Sequence, residues 1–228
     1  RISTASTDGY RDHSGTDHRT VFLNAAWQGS RSELKLVSFF GREETDLSYL
    51  AVDAATLRSD PTFNPMAEEE RDRFSQSFAQ LQLTHLLGDD TVLTASVYAN
   101  GADGWFRLWD DPVVQGQLLE FGIDQHFVGS TVSVSHSAGR LQTALGAHYT
   151  DFEGDHSLDA GDERLYLNTG FKEQANTFLK ASWEGGRWVL FGDLQLRWAE
   201  FSYRGEIDLG AVSWDFLSGY TGQMNFGH

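Results

Sequence analysis

Cysteine is absent from these 228 residues. That removes disulfide scaffolds, thiolate metal sites and cysteine nucleophiles together. Basic residues are scarce: 17 Lys+Arg stand against 33 Asp+Glu, giving a formal net charge of −16 and a pI near 4.7. A protein that tracks nucleic-acid phosphates needs a basic footprint to release counterions, and this composition offers none. Proline occurs three times. No apolar run approaches the ~18 residues of a membrane helix. That leaves a membrane barrel open, because barrel strands alternate and never give a hydropathy peak.

What is present points to a folded β protein. Aromatics make up 13% and glycine supplies 23 residues, whereas a disordered acidic chain is poor in aromatics. The apolar period is two. Leu93, Ala95, Val97 and Ala99 interleave with Thr94, Ser96, Tyr98 and Asn100. Thr177, Leu179, Ala181 and Trp183 interleave with Phe178, Lys180, Ser182 and Glu184. Val21 to Trp27 and Leu190 to Trp198 repeat the pattern. Each reads as a strand with one apolar and one polar face. The only helical signal is a possible turn over Ala67 to Arg73.

The connections carry more information than the strands. Short polar turns fall at 29–32, 88–90, 137–140 and 184–187, with glycine where a tight hairpin needs it. Longer connections are expected at about 8–17, 43–72, 101–118, 152–164 and 204–214. Short and long alternate. In an antiparallel up-and-down meander, that gathers the short turns at one end and the long loops at the other, the asymmetry of an outer-membrane barrel. Trp27, Trp183 and Trp188 stand beside short turns, while Trp105, Phe106, Tyr149, Phe152, Phe201 and Tyr203 are expected where strands enter long loops. Two aromatic levels separated by aliphatic alternation match the girdles at two bilayer interfaces. A soluble, secreted all-β module that binds a ligand or carbohydrate remains the alternative, since its strands also alternate around a core.

Particular segments also resemble a known family. Ser6-Thr7-Asp8-Gly9-Tyr10-Arg11-Asp12 is similar to the SDGY-x-D segment of TonB-dependent outer-membrane receptors, especially receptors for ferric citrate and related siderophores. The ordered series Leu34 to Glu43, Phe63-Asn64-Pro65, Phe78 to Leu83, Asp151 to His156, and Tyr166 to Trp183 resembles the same family over essentially the whole chain. The resemblance implies a barrel of about 22 strands around a globular plug, energised by an inner-membrane complex. About ten strands are readable, counting partial ones. The sequence opens at Arg1 and breaks off within an alternating segment at Met224 to His228. The expectation is therefore that residues 1–228 are a partial barrel domain, with the plug and its TonB contact region elsewhere, in the outer membrane of a bacterium among lipid and lipopolysaccharide.

Candidate ligand residues follow from the long connections. Around Asp103 to Asp111, Trp105 and Trp109 offer faces for stacking and Arg107 a partner for a carboxylate. The aromatics serve equally as an upper girdle. The 45–72 loop, with Tyr49, Arg58 and Phe63, is long enough to act as a lid, or it is simply solvated. The acids Asp151, Glu153, Asp155, Asp159, Asp162 and Glu163 read as a loop able to hold a divalent cation through oxygens, against the plainer reading of a solvated acidic loop. Eight histidines show no zinc-site spacing. Asp110, Asp111 and His156 could imitate the carboxylate–histidine pairs of membrane proteases, but nucleotide-binding and serine-hydrolase fingerprints are missing. The expected function is non-catalytic import of a scarce ligand, a ferric siderophore, with no cofactor and no resident metal.

Overall fold

The computed structural model describes residues 1–110 and 116–205. Nine strands follow one another in a single antiparallel up-and-down sheet. They are β1 (Ile2–Thr7), β2 (Thr16–Gln28), β3 (Ser32–Asp46), β4 (Arg71–Leu86), β5 (Thr91–Trp109), β6 (Leu118–Ala138), β7 (Leu141–Ala160), β8 (Glu163–Gly185) and β9 (Trp188–Gly205). One short helix, α1 (Ala54–Ser59), lies in the connection between β3 and β4. Asp53 caps it, accepting from the backbone N–H groups of Ala55 and Thr56. The predicted helical turn at 67–73 is not the helix: residues 68–69 form a plain turn and β4 has begun by Arg71.

Residues directly opposite in an antiparallel ladder share a face. One register row reads Ala25, Leu36, Leu81, Val97, Ser130, Tyr149, Ala175 and Trp198 across β2 to β9. With its neighbours two residues away, it forms an apolar face. Leu93, Leu179 and Leu194 lie on it, whereas Gln80, Gln82, Asp193, Gln195 and Arg197 lie on the other, as the alternation predicts. No second layer covers the apolar face among the described residues. Among the described residues the only buried apolar side chains are Met66, Ala102 and Ala160, and Leu194 is 63% exposed. A soluble sandwich would hide this face beneath another sheet.

The sheet is also staggered. The row through Gln28 passes Thr84, Ser133 and Phe178. The short-turn ends Leu86, Ala138 and Gly185 lie two, five and seven residues beyond those positions. Seven residues over six strands is a stagger of about 1.2 residues per strand. At ~3.3 Å per residue and ~4.8 Å between strands, it tilts the strands by roughly 39°. Barrel closure demands a tilt of about 35–45°.

The connection lengths need partial correction. At the short-turn end, Gly139-Arg140 and Gly186-Arg187 are two-residue hairpins with φ near +61° at the glycine, a conformation that places glycine first in a type II′ turn. At the opposite end the loops are 8–15 and 47–70, shorter than predicted, and the first half of the expected 101–118 loop is strand, since β5 runs to Trp109. The expected acidic loop at 152–164 is strand: β7 and β8 pair to their tips and turn at Gly161-Asp162, with one register irregularity at Leu158/Asp159. Acidic side chains on one face do not prevent backbone pairing, so charge was a poor guide to a loop here. Likewise Tyr149 and Phe152 stand in mid-strand on opposite faces, because β7 continues well past them. The predicted loop at 204–214 and the partial C-terminal strand lie, beyond Gly205, outside the described residues.

Candidate functional site

The polar face is built around an aromatic row. Phe22, Phe39, Phe78, Asn100, Phe127, Phe152, Lys172 and Phe201 follow one another in register across eight strands. Phe39 and Phe78 stack with centroids 5.6 Å apart. The Lys172 ammonium lies 5.4 Å from the Phe201 ring centre, within cation–π range. Nearer the short turns, a hydrogen-bonded cluster spans β5, β7 and β8. The Tyr98 hydroxyl lies 2.5 Å from His148 Nε2 and 3.1 Å from Thr150 Oγ1, and Asn176 donates to His148 Nδ1 at 3.1 Å. A donor at Nδ1 leaves the proton of a neutral imidazole on Nε2, where it serves the two hydroxyl oxygens. Gly129 makes room for this: a Cβ there would stand 2.3 Å from the Tyr98 ring. Asn176 Oδ1 is buried without a partner. Beside the cluster Arg197 donates to Gln174 at 2.5 Å, and Lys180 faces Asp193 at 3.7 Å.

At the long-loop end, two connections are knitted together. Arg11 donates through Nη1 to the carbonyls of Ser48 (3.1 Å) and Leu50 (2.7 Å). Asn64 donates to the carbonyls of His13 (2.6 Å) and Leu47 (3.0 Å). Glu70, 3% exposed, accepts from the backbone N–H groups of Ala67 (2.7 Å) and Trp109 (3.2 Å). His13, with φ of +47°, approaches the Glu70 carbonyl at 3.2 Å and Asp46 at 3.6 Å. The 47–70 segment is therefore an ordered cap rather than a loose loop.

The four residues singled out for ligand contact are placed differently from one another. Tyr49 is on the cap, 64% exposed. Trp105 and Arg107 lie toward the outer end of β5 on the same side as the apolar row. The Arg107 guanidinium covers the Trp105 ring at 4.2 Å and donates to Glu120 at 2.6 Å. Trp109 ends β5, tied to the cap through Glu70. Arg58 lies in the last turn of helix α1, and Phe63 follows it on the cap, 40% exposed. Asp151, Glu153 and Asp155 stand on β7, Asp159 pairs with Arg164, and no group of potential metal ligands converges among the described residues. Asp111 of the carboxylate pair lies outside the described residues. Sequence reasoning missed Arg11, Asn64 and Glu70 because their roles are backbone contacts made at long range. It also missed the phenylalanine row, which only the register assembles. A depression of about 610 Å³ lies among Leu81, Val97, Tyr149 and neighbouring small residues. Its lining is mainly of the apolar face, and His148 and Asn176 of the cluster also border it.

No protein-family model and no curated protein sequence matches the chain. Solved structures do. The unliganded ferric citrate transporter FecA superposes with a TM-score of 0.77 over 90% of this chain and 32% of its own, at 11% identity. The ferric-catecholate import receptor Fiu of E. coli K12 gives 0.68 over 89% and 40%, at 12% identity. The ferric preacinetobactin receptor BauA of Acinetobacter baumannii gives 0.65 over 89% and 36%, at 9% identity. The chain thus spans about a third of the length of the structures it matches. At such identities the likeness concerns the fold alone: the nine-stranded antiparallel sheet has the fold of part of each of these structures.

Proposed function

We propose that this chain is the central barrel portion of a TonB-dependent outer-membrane receptor that imports a ferric siderophore. The observation that carries the proposal is the two-faced, uncovered, staggered sheet: its apolar face suits lipid and its ~39° tilt suits a closed barrel. The fold likeness to ferric-ligand receptors supports it. The edges β1 and β9 need partners, because lipid does not tolerate unpaired backbone. We assign those partners, and a plug that contacts the energy-coupling complex, to regions outside this chain. The soluble-module reading needs an element to cover Leu145, Leu179, Leu194 and Leu196, and the described residues supply none.

On this reading the phenylalanine row and the Tyr98–His148–Asn176 cluster face the lumen, and the cap stands over its mouth. Import is non-catalytic. The loops capture the ligand, their closure excludes water, and energy-coupled movement of the plug opens a path. Tyr49, Trp105, Arg107 and Trp109 remain our candidates for ligand contact at the rim. Tyr49 is the most accessible, while Arg107 already has Glu120 as a counter-charge. Uptake of radioactive iron by cells carrying the intact protein tests the proposal. One or more ferric chelates should enter above the background of a deletion strain, and a protonophore should abolish the gain. Recovery of the protein as a monodisperse soluble species without detergent would overturn it.

A further inference from the structure

Charge on the polar face of the sheet is sorted by height. Between the phenylalanine row and the long-loop end run three further register rows, through Gly41, Glu43 and Thr45 of β3. Their ionisable carboxylates and imidazoles are Glu43, Asp72, His18 and His156. Among the described residues these rows carry no Lys and no Arg. The cations of this face begin lower: Lys172 lies in the phenylalanine row, and Lys35, Lys180 and Arg197 lie nearer the short turns. Beyond the rows, at the β7–β8 tip, Arg164 is held by Asp159.

The same rows hold Phe74, Phe106 and Phe121. Phe74 and Phe106 are exposed. Phe106 and Phe121 stack with centroids 4.7 Å apart and planes within 8° of parallel, forming one aromatic block. Asp72 is the direct cross-strand partner of Phe106, so its carboxylate stands beside that block. Glu43 already has His18 at 3.3 Å, whereas Asp72 takes part in no ion pair among the described residues. A carboxylate beside aromatic rings suits an ammonium group: the rings attract the cation and the carboxylate accepts its hydrogen bonds. An anionic ligand would instead meet two carboxylates and no guanidinium or ammonium, an arrangement that rejects it.

We propose that Phe74, Phe106, Phe121 and Asp72 form a binding surface for a ferric chelate that carries a protonated amine, with its ammonium against Asp72 and its hydrocarbon over the rings. The surface rests on the lumen-facing reading given above and deepens it by naming the charge class of the cargo. A linear tris-hydroxamate with a free terminal amine has this chemistry, because its hydroxamates balance the ferric charge and leave that of the ammonium. Acetylating the amine makes the complex neutral at nearly the same shape. A ferric tris-catecholate is strongly anionic, since each catecholate brings two charges.

Titration calorimetry of the intact detergent-solubilised receptor with these three ferric complexes tests the proposal. Wild type should bind the amine complex about tenfold more tightly than its acetylated form, the worth of one charge-assisted contact, and the tris-catecholate most weakly. Asp72→Asn should remove the preference by weakening the amine complex alone, a selective change that a folding defect does not produce. Phe106→Leu should weaken both hydroxamate complexes about fivefold. Glu200→Gln, on the opposite face of the sheet, should alter neither. Folding is checked by heat-modifiable gel mobility, and the wild-type ranking needs no variant. Equal or tighter binding of the acetylated complex overturns the proposal, as does tightest binding of the tris-catecholate or a preference that survives Asp72→Asn. Binding of none of the three, with iron uptake from some other chelate intact, overturns it too and leaves the receptor reading standing. Failure of the receptor reading shows separately, as cells carrying the intact protein that gain no iron from any chelate.

Discussion

Leu179→Arg is the substitution on which the facing of the whole sheet can be judged. Leu179 shares a register row with Leu145 and Leu194, all on the apolar face, and is itself 48% exposed. It lies six residues from the short-turn end Gly185. With the stagger derived above, six residues correspond to about 15 Å of height, near the middle of a ~25 Å apolar band. A guanidinium at that depth costs ~2–4 kcal/mol, or roughly 30- to 900-fold in the folding equilibrium. Gln80→Arg is the matched control. Gln80 is also six residues from its short-turn end, Leu86, but on the polar face. It should shift stability by no more than about 0.5 kcal/mol. Both would be measured on the intact protein by urea-dependent folding into phosphatidylcholine vesicles, followed by tryptophan fluorescence. Equal costs for the two variants, or a Leu179→Arg cost below that of Gln80→Arg, would refute the assignment of faces. Stable folding of both in buffer without lipid would refute the membrane itself.

Gly129→Ala should destabilise by about 1–3 kcal/mol through overpacking, because its Cβ would collide with the Tyr98 ring and displace the hydroxyl from His148. Adding Tyr98→Ser should recover part of that loss in the same urea titration. Arg11→Ala should release the Ser48 and Leu50 carbonyls. The expected readout is faster proteolysis within 47–70 at unchanged barrel stability, and an unchanged rate would show that the cap is held otherwise. The Asp53 carboxyl is held below its usual range chiefly by the Thr56 backbone N–H, followed by the Thr56 hydroxyl and the Ala55 N–H. A depressed folded-state pKa gives stabilisation that is full above the unfolded value and disappears as pH falls through the folded one. Amide exchange at Ala55 and Thr56 should therefore accelerate on acidification before that of the strands, and Asp53→Asn should remove the dependence.

The strand pattern was legible because alternation is a local property. A residue at i and another at i+2 must share a face, whatever the strand pairs with. Val21 to Trp27, Leu93 to Ala99 and Leu190 to Trp198 thus showed both faces directly, and the glycines at 139 and 186 marked turns that require a positive φ. The fold class was readable for the same reason. Charge misled where it was treated as a loop signal. Asp151, Glu153 and Asp155 alternate with Phe152 and Gly154, and that period was the better guide to β7.

What no local pattern contains is register, because pairing is fixed by hydrogen bonds between strands that lie far apart in the chain. Sequence by itself determined a two-faced antiparallel meander with short turns at one end, too acidic to track nucleic acid. Only the tertiary structure aligned six phenylalanines into one row and brought Tyr98 to His148. It alone set Phe106 against Phe121 and folded the 47–70 segment onto Arg11. The stagger that tilts the strands is likewise a sum over many pairings, each invisible in its own strand.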